Sequence, residues 1–120
     1  MWTYESSNGN LTQDGNPIGV GYSGFPPDVN NQAAEVDPDQ GPIPRGAWTI
    51  GAFFDDPGGK GPIVAHLTPD PATNVFGRDG FMIHGDNLAM NHTASHGCII
   101  LAHPYRQQIA ASGDNALQVV

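Results

Sequence analysis

Two reactive side chains, His84 and Cys98, lie in one stretch of the sequence, residues 81–101, and their types suggest nucleophilic catalysis. A thiol becomes a good nucleophile once it loses its proton, and a neighbouring imidazole can take that proton and hold the thiolate as an ion pair. His84 ends one short apolar run and Cys98 precedes another, so we predict two strands that each deliver one reactive group. His84 can reach the sulfur only if its strand lies beside the strand that follows the cysteine.

The neighbours of these two residues suggest how they are assisted. Gly85 leaves the backbone next to His84 open to a sharp turn. Gly97 would let the chain bend directly before the cysteine and point backbone N–H groups at a developing oxyanion. His96 is two residues from Cys98, so on an extended chain both side chains point the same way. We therefore expect His96 to line the site as a donor or a substrate contact.

Other interpretations of the same residues stay open at this point. A lone cysteine in a short chain is usually a small buried apolar side chain, although His-Gly followed by Ser-His-Gly-Cys is more specific than either residue alone. A metal site is a second interpretation because several ligand-type side chains are close in sequence, but the spacings typical of zinc sites are missing. We expect no metal and no cofactor. The ligand-type side chains are His84, His92, His96, Cys98 and His103.

Two further protein classes are alternatives. A papain-like cell-wall endopeptidase or amidase also uses a thiol, but it places the cysteine well before the histidine, and here only His103 follows Cys98. A non-catalytic carbohydrate or peptide binder would use Trp2, Tyr22 and Trp48 as a stacking surface. In such a binder Cys98→Ala would leave binding intact, whereas in an enzyme it would abolish turnover.

The composition limits the partners and the size of the fold. With 120 residues and 38% apolar content, the chain is expected to form a single domain over residues 1–120. Twelve acidic residues against four basic ones give a net charge of −8, which opposes binding to nucleic acid or to anionic lipid. Among the few cations, Arg78 is the best placed to bind a substrate carboxylate, unless it is simply a solvated surface charge.

The distribution of turn residues predicts a mainly β fold with one or two short helices. Sixteen glycines and eleven prolines are spread along the chain, as expected for many tight turns between short strands. His103-Pro104 is typical of a helix start and Ser112-Gly113 of a helix end, and a helical turn is expected near residues 32–35. A turn-rich break is predicted at 55–62. The predicted strands fall within residues 1–5, 11–13, 18–22, 47–54, 63–67, 81–84, 99–101 and 116–120.

A family resemblance adds to this interpretation. Residues 95–99, Ser-His-Gly-Cys-Ile, with the upstream His84-Gly85 resemble the signature of the L,D-transpeptidase catalytic domain, which acts on bacterial peptidoglycan. Residues 41–50 resemble that family's Pro-x-Gly-x-aromatic-x-Ile strand, and together with segments 2–4, 11–15 and 21–24 they resemble the small L,D-transpeptidase effectors of type VI secretion. The broader family usually has arginine two positions after the cysteine, where this chain has Ile100.

The resemblance implies a fold and an activity. The fold would be an L,D-transpeptidase-like β-sandwich. The enzyme would cleave the terminal D-alanine from tetrapeptide stems, as an L,D-carboxypeptidase, and exchange it for other D-amino acids through a thioester on Cys98. His84 would be the base, and the Gly85 carbonyl would orient its imidazole. The residues expected to hold the oxyanion or the substrate are Ser95, His96, Gly97 and Arg78.

The resemblance also implies a location and partners. The chain begins without a basic segment that leads into a long apolar run, so we expect no Sec-type signal, and no stretch approaches transmembrane length. An effector of this kind would be injected into a neighbouring bacterium and would act on peptidoglycan stems in its periplasm. Expected partners are a secretion-machine carrier and a cognate immunity protein, with no nucleic acid and no membrane insertion.

Overall fold

The computed structural model describes residues 1–56 and 61–120, and within these ranges the fold is mainly β with one α-helix. The predicted fold class is therefore confirmed, and residues 57–60 of the turn-rich break predicted at 55–62 lie outside the described residues. A short 3₁₀ helix covers Gln32–Val36, where a helical turn was expected, and α1 covers His103–Ser112. The strands are β1 (Trp2–Tyr4), β2 (Asn10–Gln13), β3 (Asn16–Val20), β4 (Tyr22–Ser23), β5 (Gly46–Ile50), β6 (Ala65–Pro69), β7 (Met82–His84), β8 (Ile99–Ile100) and β9 (Ala116–Val119).

Local sequence explains where the elements begin and end. α1 carries its proline in the first turn, where a missing N–H is tolerated, and it ends at Gly113 with a left-handed φ of 69°. Both bounds match the prediction. β5 buries Trp48 and Ile50 and exposes the alternate residues, as a strand with one core-facing side should. It is shorter than predicted, since beyond Ile50 only Phe54 pairs again, through an isolated bridge to Val64.

The strands follow one another by hydrogen bonding in the order β3-β2-β1-β9-β5-β6-β7-β8-β4. The two end strands, β3 and β4, are consecutive in the chain and are joined by Gly21, whose N–H donates to the Gly9 carbonyl at 2.8 Å. The sheet therefore nearly closes on itself. β1 with β9 and β7 with β8 are the parallel pairs among the described strands, and the other pairs are antiparallel.

The apolar core lies on one side of β7 and β8. Ile83 and Ile99 belong to the core cluster and are each 1% exposed. Trp48 and Phe81 meet edge to face in the same cluster, with ring centroids 5.0 Å apart. Because successive side chains of a strand point to opposite faces, the residue that follows Ile83 in β7 lies on the face away from this core.

No helix in the described parts of the chain is long and apolar enough to cross a membrane.

The contact between Gly9, directly before β2, and Gly21, which joins β3 to β4, makes a testable prediction. Gly9 and Gly15 have similar left-handed φ angles, 80° and 84°. A Cβ on Gly9 would lie 1.8 Å from the Gly21 carbonyl oxygen, whereas a Cβ on Gly15 would meet nothing within 4 Å. We expect Gly15→Ala to cost about 1 kcal/mol of unfolding free energy through its φ alone. Gly9→Ala should cost at least about 1 kcal/mol more, because it also separates a backbone hydrogen bond.

Urea denaturation of both variants measures this difference. Equal losses for Gly9→Ala and Gly15→Ala would contradict the close approach of Gly9 to the Gly21 carbonyl.

Candidate active site

The register of β7 and β8 brings the two reactive residues to neighbouring strands. The strands pair in parallel, with Ile83 opposite Ile99 and His84 opposite Ile100. The strand adjacency that the sequence required is therefore present. Cys98 directly precedes β8, two positions before Ile100, so the alternation of side chains puts it on the same face as His84. Its exposure fits this face, because Cys98 is partly exposed whereas Ile99 is buried in the core.

The His84 imidazole is held in a defined orientation. His84 is 2% exposed, and its Nδ1 lies 2.7 Å from the carbonyl oxygen of Gly85. A carbonyl can only accept a hydrogen bond, so Nδ1 carries the hydrogen and Nε2 presents the basic lone pair. The His84 carbonyl accepts a hydrogen bond from the Leu101 N–H at 3.0 Å, which anchors the backbone beneath the ring. Both contacts fix the nitrogen that a base would use.

The Cys98 thiol lies at the surface of the site. Its Sγ is 3.8 Å from the Gly80 carbonyl oxygen, a distance typical of a weak S–H donor. Gly80 lies just before Phe81, the residue that precedes β7. The thiol thus lies against the segment that leads into the strand of His84.

Ser95 fixes the backbone around the cysteine. Its Oγ accepts hydrogen bonds from the N–H groups of Gly24 at 2.9 Å and Gly97 at 3.2 Å. The same hydroxyl donates to the Cys98 carbonyl at 2.6 Å. Ser95 is 0% exposed, so these bonds fix the position of the loop. The roles in oxyanion or substrate binding expected for Ser95 and Gly97 stay predictions.

Arg78 is likewise a buried positioning residue. It is 7% exposed, and its guanidinium donates to four backbone carbonyls. Nη1 donates to Glu35 at 2.6 Å and to Pro42 at 2.9 Å. Nη2 donates to Gly41 at 2.9 Å and to His96 at 3.3 Å. These bonds tie the segment before β5 to the loop before Cys98. The substrate contact expected for Arg78 stays a prediction.

The Arg78 charge also acts on the cysteine. A Cβ on Gly97, whose φ is 134°, would lie 2.5 Å from Arg78 Nη2, so only glycine lets the guanidinium approach so closely. A cation next to a thiol favours the thiolate. Burial lowers the pKa of Arg78, and the charges that oppose this effect are those of Asp39, Asp37, Cys98 and Glu35.

His96 lines a small polar cavity. Its ring stacks on Phe25 with centroids 4.7 Å apart, and its Nδ1 lies 2.9 Å from the Asp39 carbonyl oxygen. The expectation that His96 lines the site is consistent with this placement. The cavity has a volume of about 160 Å³ and is bordered by Pro38, Asp39, Gly77, Arg78, Asp79 and His96. A larger cavity of about 490 Å³, between β5 and the end of α1, is lined by neither cysteine nor histidine.

The sequence interpretation missed the supporting roles of two residues. Ser23 is 0% exposed, donates to the Gly97 carbonyl at 3.2 Å and accepts from the Ile43 N–H at 2.9 Å. Tyr22 donates to Asp86 Oδ1 at 2.7 Å and accepts from the N–H of residue 94 at 3.1 Å. Burial, followed by the hydrogen bond to Asp86, raises the pKa of Tyr22. The local sequence did not indicate these roles of Tyr22 and Ser23, because their hydrogen-bond partners are far away in the sequence.

The histidines do not assemble a metal centre in the described ranges. Within residues 1–56 and 61–120 no group of three or more His, Cys, Asp or Glu side chains could hold a metal ion. His92 packs on the Tyr22 ring, with centroids 4.5 Å apart, while His96 packs on Phe25. The metal hypothesis therefore has no ligand set in this part of the molecule.

Ser95 gives a direct test of the loop that holds Cys98. Ser95→Ala would leave the N–H groups of Gly24 and Gly97 and the carbonyl of Cys98 without their hydroxyl partner in a buried position. We expect a loss of about 2–4 kcal/mol of unfolding free energy.

The control is Ser7→Ala, an exposed turn position, which should change stability by less than about 0.5 kcal/mol. Urea denaturation measures both variants. A Ser95→Ala protein as stable as Ser7→Ala would contradict the positioning role.

Comparisons with known proteins identify the fold and the family of the chain. None of the curated proteins matches the chain. A solved L,D-transpeptidase from Mycobacterium smegmatis is similar in fold, with a TM-score of 0.52 and 16% identity over 99% of this chain and 57% of that chain, so the present chain spans little more than half of its length. The model of the Tlde1 domain matches residues 19–119. The chain therefore belongs to the Tlde1 domain family, the L,D-transpeptidase effector family of type VI secretion.

Proposed function

We propose that the protein is an L,D-carboxypeptidase and L,D-transpeptidase that uses Cys98 as nucleophile and His84 as base. It removes the terminal D-alanine of tetrapeptide stems and exchanges it for other D-amino acids. The observation that supports this most strongly is the orientation of His84: its Nδ1–H is bonded to the Gly85 carbonyl, and its strand is paired in parallel with the strand that follows Cys98. This arrangement leaves Nε2 as the proton acceptor.

In the acylation step the Cys98 thiol gives its proton to Nε2 of His84, and the thiolate attacks the carbonyl carbon of the L-centred residue. A C–S bond forms and the C–N bond to the terminal D-alanine breaks. The imidazolium of His84 returns the proton to the leaving amine, so D-alanine departs with a neutralised nitrogen and a thioester stays on Cys98. The Arg78 guanidinium favours the thiolate from behind Gly97.

In the deacylation step the thioester has two fates. Water, deprotonated by His84, gives a tripeptide carboxylate and regenerates the thiol, which is carboxypeptidase activity. The amine of a free D-amino acid gives a new peptide bond, which is exchange. Water access and the fit of the acceptor set the ratio. His96 borders a polar cavity of about 160 Å³ together with Asp39 and Asp79, and we propose that the polar end of a substrate or acceptor binds there.

The biological role follows from this chemistry and from the family. Removal or exchange of D-alanine destroys the tetrapeptide that donates to cross-links, so the target wall weakens. We propose that the protein acts as an antibacterial toxin in the periplasm of a target cell. A carrier of the secretion machine delivers it. An immunity protein that covers the Cys98 cleft protects cells of the producing strain. Family analogy alone supports these partners.

The activity is tested with purified protein, disaccharide-tetrapeptide and mass spectrometry, with and without excess free D-amino acid. We expect loss of one alanine without the amino acid and its replacement in the presence of the amino acid. Cys98→Ala should abolish both products, and His84→Gln should lower kcat/KM about 100-fold or more, since it removes the general base.

His66→Gln is the matched control, because His66 is exposed and stacks on Phe54 outside the site. It should keep wild-type turnover. Turnover by Cys98→Ala at the wild-type rate would exclude the thioester mechanism, and binding without turnover by the wild type would favour the non-catalytic binder.

A further inference from the structure

A second buried arginine, Arg106, lies next to His84 and has no part in the scheme above. It comes from α1 and is 3% exposed. Its Nε donates to the Ile63 carbonyl at 2.7 Å, and its Nη1 donates to the Leu101 carbonyl at 2.5 Å. Burial lowers the pKa of Arg106. A guanidinium nevertheless keeps its charge in proteins. The two directed hydrogen bonds offset part of the cost of removing this charge from water.

The guanidinium packs directly against the backbone of Gly85. A Cβ on Gly85 would lie 2.8 Å from Arg106 Nη1 and 3.2 Å from Cζ and Nη2. A Cβ on Gly61 would lie 2.7 Å from Nη2 and 3.7 Å from the Gly85 backbone nitrogen. Two glycines thus leave the space that the planar group occupies. Any side chain at Gly85 would push the arginine or the backbone out of place.

Gly85 and Leu101 connect this arginine to the base. The Gly85 carbonyl accepts the Nδ1–H hydrogen bond of His84. The Leu101 N–H donates to the His84 carbonyl, while the Leu101 carbonyl accepts from Arg106. The acceptor that orients the imidazole and the residue that anchors its backbone are therefore both in contact with one rigid, buried group.

We propose that Arg106 is a positioning residue that orients the His84 imidazole through Gly85 and Leu101. The inference rests on the proposed role of His84 as base. Without the guanidinium, Gly85 can shift and its carbonyl no longer fixes the Nδ1–H tautomer, so Nε2 is presented to the Cys98 thiol for only part of the time. The loss falls on the chemical step, and binding of the substrate changes little.

The first test is Arg106→Lys, which keeps the positive charge but cannot donate in two fixed directions as a guanidinium does. Nitrogen-15 NMR of the His84 ring should report a single Nδ1–H tautomer in the wild type and a tautomer mixture in the variant. We expect kcat to fall about 10- to 100-fold with little change in KM. Arg45→Lys is the matched control, since Arg45 is an exposed arginine that pairs with Glu35, and it should leave the ring signals unchanged.

A second variant, Gly85→Ala, disturbs the same contact between Gly85 and Arg106 by changing the glycine instead of the arginine. Gly85 does not have a left-handed φ, so an alanine there is opposed by Arg106 and not by its own backbone conformation. It should produce the same tautomer mixture. A folded Arg106→Lys or Gly85→Ala protein with the wild-type tautomer and wild-type kcat would overturn the proposal. The NMR measurement needs no substrate, so it stays decisive even if the wild type fails to act on peptidoglycan.

Discussion

The parallel pairing of β7 with β8 is the constraint on which the candidate site depends. Parallel neighbours need a connection of a dozen or more residues, and here that connection, residues 85–98, contains no regular secondary structure. The register of the pair decides whether His84 and Cys98 share a face, because a slip by one residue would turn one of them to the core. A long irregular connection cannot hold such a register by its own backbone hydrogen bonds.

Side chains hold the connection instead. Tyr22 binds it near both ends, through the Asp86 carboxylate and the N–H of residue 94. Asn87 and Thr93 bridge its middle at 2.8 Å. Ser95 then fixes the last residues before β8. Tyr22 lies on β4, and Gly24, one of the partners of Ser95, directly follows β4. The strand at the end of the sheet therefore also anchors the loop that carries the nucleophile.

Two buried arginines support the site from opposite ends. Arg78 lies behind Gly97 and Arg106 lies behind Gly85, and in both cases a glycine leaves room for the guanidinium. Backbone carbonyls bind both groups, which offsets much of the cost of burying a charge. The chain has four Lys and Arg residues and a net charge of −8, and two of these four side chains, Arg78 and Arg106, are buried. Their shared effect is to fix the backbone on either side of the His84–Cys98 pair.

Local signals allowed part of this structure to be predicted from the sequence. The helix at His103–Ser112 was predictable because its proline and glycine signals act within one turn. The choice of His84 and Cys98 followed from residue type. The roles of Arg78 and Ser95 were not predictable, because they depend on burial and on partners such as Pro42 and Gly24 that are far away in sequence. The sequence shows a charge and a hydroxyl near the nucleophile, but it does not show that both side chains are buried.

The central claim, that His84 holds Cys98 as a reactive thiolate, is tested most directly by the pH dependence of alkylation with iodoacetamide. Cys98 is the one cysteine of the sequence, so the reaction monitors it alone. Between pH 6 and 7 the folded wild type should react at least about tenfold faster than His84→Gln, since an imidazole partner raises the thiolate fraction. Equal rates that rise together with pH like those of an ordinary thiol would contradict the account.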